Sequence, residues 1–238
     1  MRTQLDLGDV SVDVEFKDIK NIHLSVYPPT GQVRISAPSR MSLDTVRVYV
    51  ITRLGWIRQQ QHKFAEQERE TQREYLERES HYVWGERFLL TVLEEDATPE
   101  VELTQSRLVL RVRPGAGEDK KRDIVEGWYR EELKKAAAPL IEKWERALDV
   151  HATKLYVQHM KTKWGGCNPA KGHIRLNTEL AKKPPECLEY IVVHELLHLI
   201  EPTHNERFIA LMDDHLPQWR HHRHLLNSLP IAHEQWDY

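Results

Sequence analysis

The sequence predicts an α+β protein: a strand-rich N-terminal region with a long helix over residues 1–80, then a mainly helical domain with a small sheet over residues 81–238. Three observations predict it. Apolar and polar residues alternate with period 2 before residue 40, apolar residues recur at helical spacing from residue 124 onward, and a polar stretch separates the two regimes. Of 238 residues, 40% are hydrophobic and 30% charged, a balance that supports a buried core and excludes wholesale disorder. Lys and Arg number 34 against 37 Asp and Glu, so the net charge of −3 excludes a global field that draws the chain onto nucleic acid or an anionic membrane.

Each element has its own warrant. Val10, Val12, Val14 and Phe16 alternate with Ser11, Asp13 and Glu15, as in a half-buried strand. Ile22–Val26 and Val33–Ala37 repeat the pattern around Pro28-Pro29-Thr30-Gly31, a predicted hairpin. Pro38 ends the third strand, and Ser42 is placed to cap a helix whose apolar positions are Val46, Val50, Leu54 and Ile57. Between His62 and Ser80, six Glu stand against four Lys and Arg, which reads as a solvated helix face or a linker. Short strands are predicted at Phe88–Leu93, Val101–Leu103 and Leu108–Val112, before the Pro114-Gly115-Ala116-Gly117 break. Ile124, Trp128, Leu133, Leu140, Ile141, Trp144 and Leu148 predict helical segments interrupted near Pro139. Leu155–Val157 and Ile174–Asn177 read as strands flanking a Trp164-Gly165-Gly166 loop. Pro184-Pro185 open a helix that runs to Ile200, where Glu201-Pro202 stop it. Thr203 with Glu206 has capping-box form for a helix from His204 to about Leu216, and Pro217 starts another.

The histidines carry the chemistry. Of 14, eight lie between His194 and His233. His194-Glu195-Leu196-Leu197-His198 has the H-E-x-x-H form. On a helix, positions i and i+4 share a face, so both imidazoles reach one ion while Glu195 sits one step round, beside a bound water. Ile191, Val192, Val193, Leu196, Leu197, Leu199 and Ile200 make this helix apolar almost all round, so its polar groups need a partner to be buried. His204, ten residues after His194 and beyond the Pro202 break, is the favoured third ligand; Glu201, Glu206, Asp213 and His215 are its rivals. The spacing matches the metzincin pattern, yet Glu201 replaces its turn glycine and no Met-turn follows, so a metzincin is not expected. Cys167 and Cys187 are too few for a disulfide framework. Met1–Val10 lacks the form of a signal peptide, and no apolar run reaches the roughly 20 residues of a membrane span, so a cytoplasmic protein is expected.

Four segments together carry a family likeness: Trp164-Gly165-Gly166-Cys167; Gly172-His173-Ile174-Arg175-Leu176-Asn177; Tyr190 through Leu199; and His204-Asn205-Glu206-Arg207-Phe208. They resemble the YgjP-like family of bacterial metal-dependent hydrolases. More distantly they are similar to the SprT-like proteases, which share a zincin helix and a later His-x-x-x-Phe. The likeness extends to Val33–Pro38, Trp56-Ile57 and Pro217-Gln218-Trp219-Arg220, and so covers most of the chain. It implies a zincin-like, gluzincin-type active-site helix and one divalent metal per chain, zinc by preference. It also implies His194, His198 and His204 as ligands and Glu195 as catalytic base. The family commonly has serine after the first glycine of the Trp-Gly loop, where this chain has Gly166.

The function expected is zinc-dependent hydrolysis, with a metal held by three histidines activating water and Glu195 as general base. A metallopeptidase is the leading reading. The strand at Gly172–Asn177 is a candidate for holding an extended peptide by edge pairing, and Trp164, Arg175 and Asn177 are candidate substrate contacts. Between Ala152 and Lys183, seven cations (Lys154, Lys161, Lys163, Lys171, Arg175, Lys182, Lys183) stand against Glu179, a basic patch that suits phosphate. The resembling family includes proposals of nucleotide hydrolysis. A nucleoside-triphosphate pyrophosphatase (UTP to UMP and diphosphate, for example) is therefore the alternative, with a nucleic-acid-associated substrate as a further partner class. A non-catalytic, zinc-stabilised binding module is the second alternative. Arg220–His224 form another basic run, read as the exposed face of the last helix, and Trp128 and Trp144 read as core.

Overall fold

Val10, Val12 and Val14 are each no more than 1% exposed, so the alternation seen in the sequence does bury one face of a strand. The computed structural model describes residues 2–27, 31–66, 73–160 and 163–230. It adopts the expected α+β class and forms two units, within Met1–Glu70 and Thr71–Ala232. A division near residue 80, as read from the sequence, remains a proposal.

The first unit holds β1 (Arg2–Leu7), β2 (Val10–Lys17), β3 (His23–Tyr27), β4 (Gln32–Pro38) and helix α1 (Leu43–Glu66). The sheet order is β1-β2-β4-β3, with β2 and β4 parallel. Val46, Val50 and Ile57 of α1 share a core with the inner face of that sheet. Ser42 caps the helix as expected, its Oγ accepting from the Thr45 amide at 3.2 Å. Strand β1 escapes sequence reading because an edge strand with only Leu5 and Leu7 apolar has too weak a period. The polar stretch begins as helix, since α1 continues to Glu66; residues 67–72 and the hairpin tip Pro28-Pro29-Thr30 lie outside the described residues.

The second unit has two sheets rather than one small one. β5 (Ser80–Val83), β6 (Glu86–Glu94), β7 (Glu100–Leu103) and β8 (Arg107–Val112) form a sheet of order β5-β6-β8-β7. Helix α2 (Glu118–Leu148) follows, then β9 (Lys154–Gln158), β10 (Gly165–Asn168) and β11 (His173–Asn177). These three order as β10-β11-β9, with β10 antiparallel and β9 parallel to the central β11. A 3-10 turn (Thr178–Lys182) leads to α3 (Pro185–Leu197), α4 (Glu206–His215) and α5 (Trp219–Ser228). One core runs beneath all of these, from Leu90 and Leu110 through Leu133 to Ile174, Leu188 and Leu196.

Several expectations are corrected. The Trp164-Gly165-Gly166 segment is not a loop, because Gly165 pairs with Leu176 and Cys167 with Ile174 as strand β10. Helix α3 ends at Leu197, and the three residues after it tighten: Leu199 N–H reaches Leu196 O at 2.9 Å and Ile200 N–H reaches Leu197 O at 2.9 Å. Pro202 disfavours helical geometry at Glu201, so the turn closes early. Helix α4 is capped by Asn205, whose side chain accepts from Phe208 N at 3.0 Å, while the Thr203 hydroxyl donates to Glu201 Oε1 at 3.0 Å. Helix α5 starts at Trp219 rather than Pro217.

Helix α2 is not interrupted at Pro139 but passes through it as one element of 31 residues. Val125, Tyr129, Leu133 and Ala137 before the proline, with Trp144 and Leu148 after it, are buried along one stripe. Packing on both sides thus outweighs the hydrogen bond that the exposed proline removes. The Tyr129 hydroxyl also donates to Tyr82 O at 2.8 Å and ties α2 to β5. Pro139→Ala restores a helical amide donor and should raise unfolding free energy by about 1–3 kcal/mol in urea, with an unchanged denaturant slope. A destabilised variant would contradict a helix that runs on without a break.

Candidate metal centre

Pro185 opens α3 at a position where a missing amide costs little, and the helix descends through a dry interior. Cys187, Val192, Val193, Leu196 and Leu197 are fully buried on it. His194 and His198, one turn apart, emerge on the face that meets the chain returning after Pro202. His204 comes from that return, in the residues before the Asn205 cap rather than in the first turn of α4. The imidazole centroids of His194, His198 and His204 lie 4.9, 4.9 and 4.7 Å apart pairwise. Their ligand atoms fall within 4.8 Å of one another, and among the described residues no other trio of His, Cys, Asp or Glu gathers this way.

The rivals for third place are occupied elsewhere. Glu201 accepts from Thr203, Asp213 is held by Trp219 Nε1 at 2.8 Å and by the Arg220 guanidinium, and His215 lies 3.8 Å from Asp214. Glu206 begins α4 outside the trio. Phe208 is 3% exposed and touches all three histidine rings, with centroids 5.0 Å from His194, 4.8 Å from His198 and 4.8 Å from His204. Tyr190 borders His194 at 5.9 Å and stacks on Trp219 at 6.5 Å. The spacing His204-x-x-x-Phe208 was the sequence signal for this contact, whereas Tyr190 carried none.

The donor set fits a divalent metal. His198 Nδ1–H donates to the Glu201 carbonyl at 3.0 Å, which fixes the tautomer and leaves Nε2 with its lone pair toward the trio. The Nε2 atoms of His194 and His204 face each other at 2.9 Å. Two nitrogens on a tetrahedral zinc, each about 2.0–2.1 Å from it, stand roughly 3.3 Å apart, a few tenths of an ångström wider. Neutral rings are also favoured at His194 and His204. Burial first, then the His198 and His204 rings and the charge of Arg223, hold His194 at about 3, far below 6.5, and burial lowers His204 as well.

Glu195 is 5% exposed, and burial pushes its carboxyl from 4.5 up to about 7, with the Lys163 ammonium pulling the other way. It faces a cavity of about 450 Å³ bounded by Lys163, Trp164, the start of β10, Ile191, Pro202 and the three histidines. Strand β10 approaches α3 so closely that a Cβ on Gly165 would stand 2.6 Å from Glu195 Oε1 and 2.8 Å from Ile191 Cγ2. Gly166, one residue on, has open space where its Cβ would be.

Of the candidate substrate contacts, only Trp164 lines this cavity. Arg175 lies over the Tyr156 ring at 5.5 Å. Asn177 is buried and spends its amide inside the chain, donating to Met160 O at 2.7 Å and Lys163 O at 2.8 Å. Edge pairing on β11 is excluded because β11 is the central strand; of the two edge strands, β10 is the one that lines the cavity. The basic patch disperses too. Lys154 sits over Tyr156, Lys182 bonds Glu179 at 2.6 Å, and buried Lys183 donates to Pro230 O. Lys161 lies outside the described residues. In the later basic run, Arg220 is held by Asp213 and stacks on Trp219 at 4.5 Å. Trp144 is buried, donating to Glu189 at 2.9 Å, and Trp128 packs edge-on against Tyr129.

A buried carboxyl beside three converging imidazoles, at the floor of a cleft with an open strand edge, is the equipment of a metal-dependent hydrolase. The chain belongs to the YgjP-like family: the description "YgjP-like, metallopeptidase domain" matches residues 20–229. That membership makes it a divalent-metal hydrolase of the metallopeptidase kind and lends no support to nucleotide or nucleic-acid partners. Two solved structures are similar over part of the chain. One is the jannalysin metallopeptidase zymogen of Methanocaldococcus jannaschii, at 18% identity over 40% of this chain and 86% of that one, with a TM-score of 0.34. The other is the abylysin metallopeptidase zymogen of Pyrococcus abyssi, at 20% identity over 40% and 97%, with a TM-score of 0.35. Among curated proteins none matches. No described helix is long and apolar enough to cross a membrane.

Two outcomes follow from this packing and these charges. Gly165→Ala forces the Glu195 carboxyl or Ile191 aside and should destabilise by about 1–3 kcal/mol, whereas Gly166→Ala should stay within about 0.5 kcal/mol of wild type in chemical unfolding. Equal losses would contradict the close approach. The second concerns metal-free protein. Glu195 titrates near 7 folded and 4.5 unfolded, so its contribution is complete below pH 4.5 and is lost as pH rises through 7. Metal-free Glu195→Gln should therefore exceed metal-free wild type at pH 8 by on the order of 3 kcal/mol and converge with it near pH 4.5. His194 acts oppositely: the unfolded chain takes a proton below 6.5 that the fold refuses until about 3, so stability falls with acid. Thermal unfolding in chelator at several pH values reads both slopes. A Gln-minus-wild-type difference that ignores pH would contradict a raised Glu195.

Proposed function

We propose that the protein is a zinc peptidase in which His194, His198 and His204 hold the metal and Glu195 is the general base. The observation that carries this reading is the trio of imidazole donors within 4.8 Å beside a carboxyl that is 5% exposed. Zinc, when bound, supplies a Lewis acid that polarises a scissile carbonyl and makes water acidic enough to attack near neutral pH. Glu195 accepts that proton on its carboxylate and returns it to the leaving amine nitrogen. A carboxyl poised near 7 suits both halves of the transfer, and Lys163 favours its ionised form at the start. Phe208 keeps the three rings in place, and the Glu201 carbonyl holds the His198 tautomer.

Strand β10 offers the substrate a backbone template. Asn177 N–H donates to Trp164 O at 2.9 Å, which puts this pair in the hydrogen-bonded register of the β10–β11 ladder. By the alternation of antiparallel ladders Gly166 also faces β11 in that register, which aims the amides and carbonyls of Gly165 and Cys167 at the open side. An extended peptide pairing there lies along the cleft floor, over Glu195. A cytoplasmic setting is part of the proposal and rests on the two free thiols.

Zinc-loaded wild type should cleave an unfolded protein or a quenched-fluorescent peptide library, and Glu195→Gln should lose on the order of 10²–10⁴ in kcat/KM while keeping its zinc. A variant within tenfold of wild type would contradict Glu195 as base. Release of diphosphate from nucleoside triphosphates with no peptide cleaved would overturn the peptidase reading in favour of the nucleotide one.

A further inference from the structure

The cleft carries few charges. Of the residues that line it, Glu195 is the single acid and Lys163 the single permanent cation, beside the three converging histidines. Lys163 differs from the rest of the basic segment. Lys154 and Arg175 lie over Tyr156, Lys182 is bound to Glu179 and Lys183 to Pro230 O. Lys171 does not line the cavity. The Lys163 ammonium is exposed and, among the described residues, has no hydrogen bond or ion pair.

Its place is nonetheless built. Asn177, 4% exposed, donates to both Lys163 O and Met160 O, and its backbone N–H bonds Trp164 O, so a buried amide pins the backbone on either side of the lysine.

We propose that Lys163 is a specificity-determining residue: held on the cleft rim by Asn177, its ammonium selects peptides with an Asp or Glu side chain close to the scissile bond. This rests on the peptidase reading. A carboxylate entering the cleft meets an unpaired ammonium and no fixed negative charge beyond Glu195, whereas a basic side chain there meets like charges. Because Lys163 is exposed, the preference weakens with salt.

The test uses heptapeptide pairs that differ by Glu or Gln, scanned over three positions on each side of the cleaved bond, with full-length zinc-loaded protein. At one or more positions wild type should prefer Glu by about tenfold or more in kcat/KM. The ratio should fall toward one in Lys163→Gln, invert in Lys163→Glu and be kept in Lys163→Arg. A readout without turnover accompanies it: calorimetry on zinc-loaded Glu195→Gln should show the Glu peptide binding more tightly by a similar factor, lost on adding Lys163→Gln. No preference at any position, or a preference that Lys163→Gln and Lys163→Glu leave unchanged, overturns the assignment while leaving the peptidase reading intact. If wild type cleaves and binds none of the peptides, the peptidase reading itself has failed and the assignment with it.

Discussion

The second unit is organised around one constraint: three imidazoles converge until their ligand atoms lie within 4.8 Å of one another, where like charge on all three rings would repel. Burial and mutual proximity hold the protons off His194 and His204, and a backbone carbonyl takes the outer N–H of His198. What is left is a set of ring nitrogens that face one another, His194 Nε2 standing 2.9 Å from His204 Nε2. A cation bound there would pair with those nitrogens and stabilise the fold through its own binding free energy.

The neighbouring architecture serves that constraint. An interior helix presents two rings one turn apart, and Pro202 forces the chain to tighten and double back so that a third ring arrives from the opposite side. Phe208, fixed by the Asn205 cap, fills the space behind all three. Burial raises the Glu195 carboxyl, and it has room only because the facing strand carries no side chain at Gly165. Positioning of the Glu195 carboxyl therefore depends on a residue in another element, ahead of it in the chain.

The site was more legible in the sequence than the surface around it. The H-E-x-x-H helix could be read because its signals are local: spacing for the ligands, apolar residues on every face, prolines at its start and after its end. The class of the fold was legible for the same reason, through alternation at Val10–Phe16 and the long stripe of α2. What failed depended on contacts distant in sequence. Gly165–Asn168 has no strand propensity and becomes a strand only by pairing with β11, and nothing local says that β11 is central while β10 is the edge. Thr203 and Asn205 are both good caps, and the choice is made by Glu201, which takes the Thr203 hydroxyl. Pro139 reads as a break until the buried residues on both sides of it are counted as one face. The basic segment looked like a patch because its charges are taken up one by one, by Tyr156 and Glu179 within it and by Tyr129 and Pro230 from elsewhere in the chain.

The account stands or falls on the coordination of the bound metal. X-ray absorption at the zinc edge of stoichiometrically loaded protein should show one zinc per chain with three imidazole donors at about 2.0–2.1 Å. A first shell with two imidazoles or fewer, or a protein that takes up no stoichiometric metal, would contradict it.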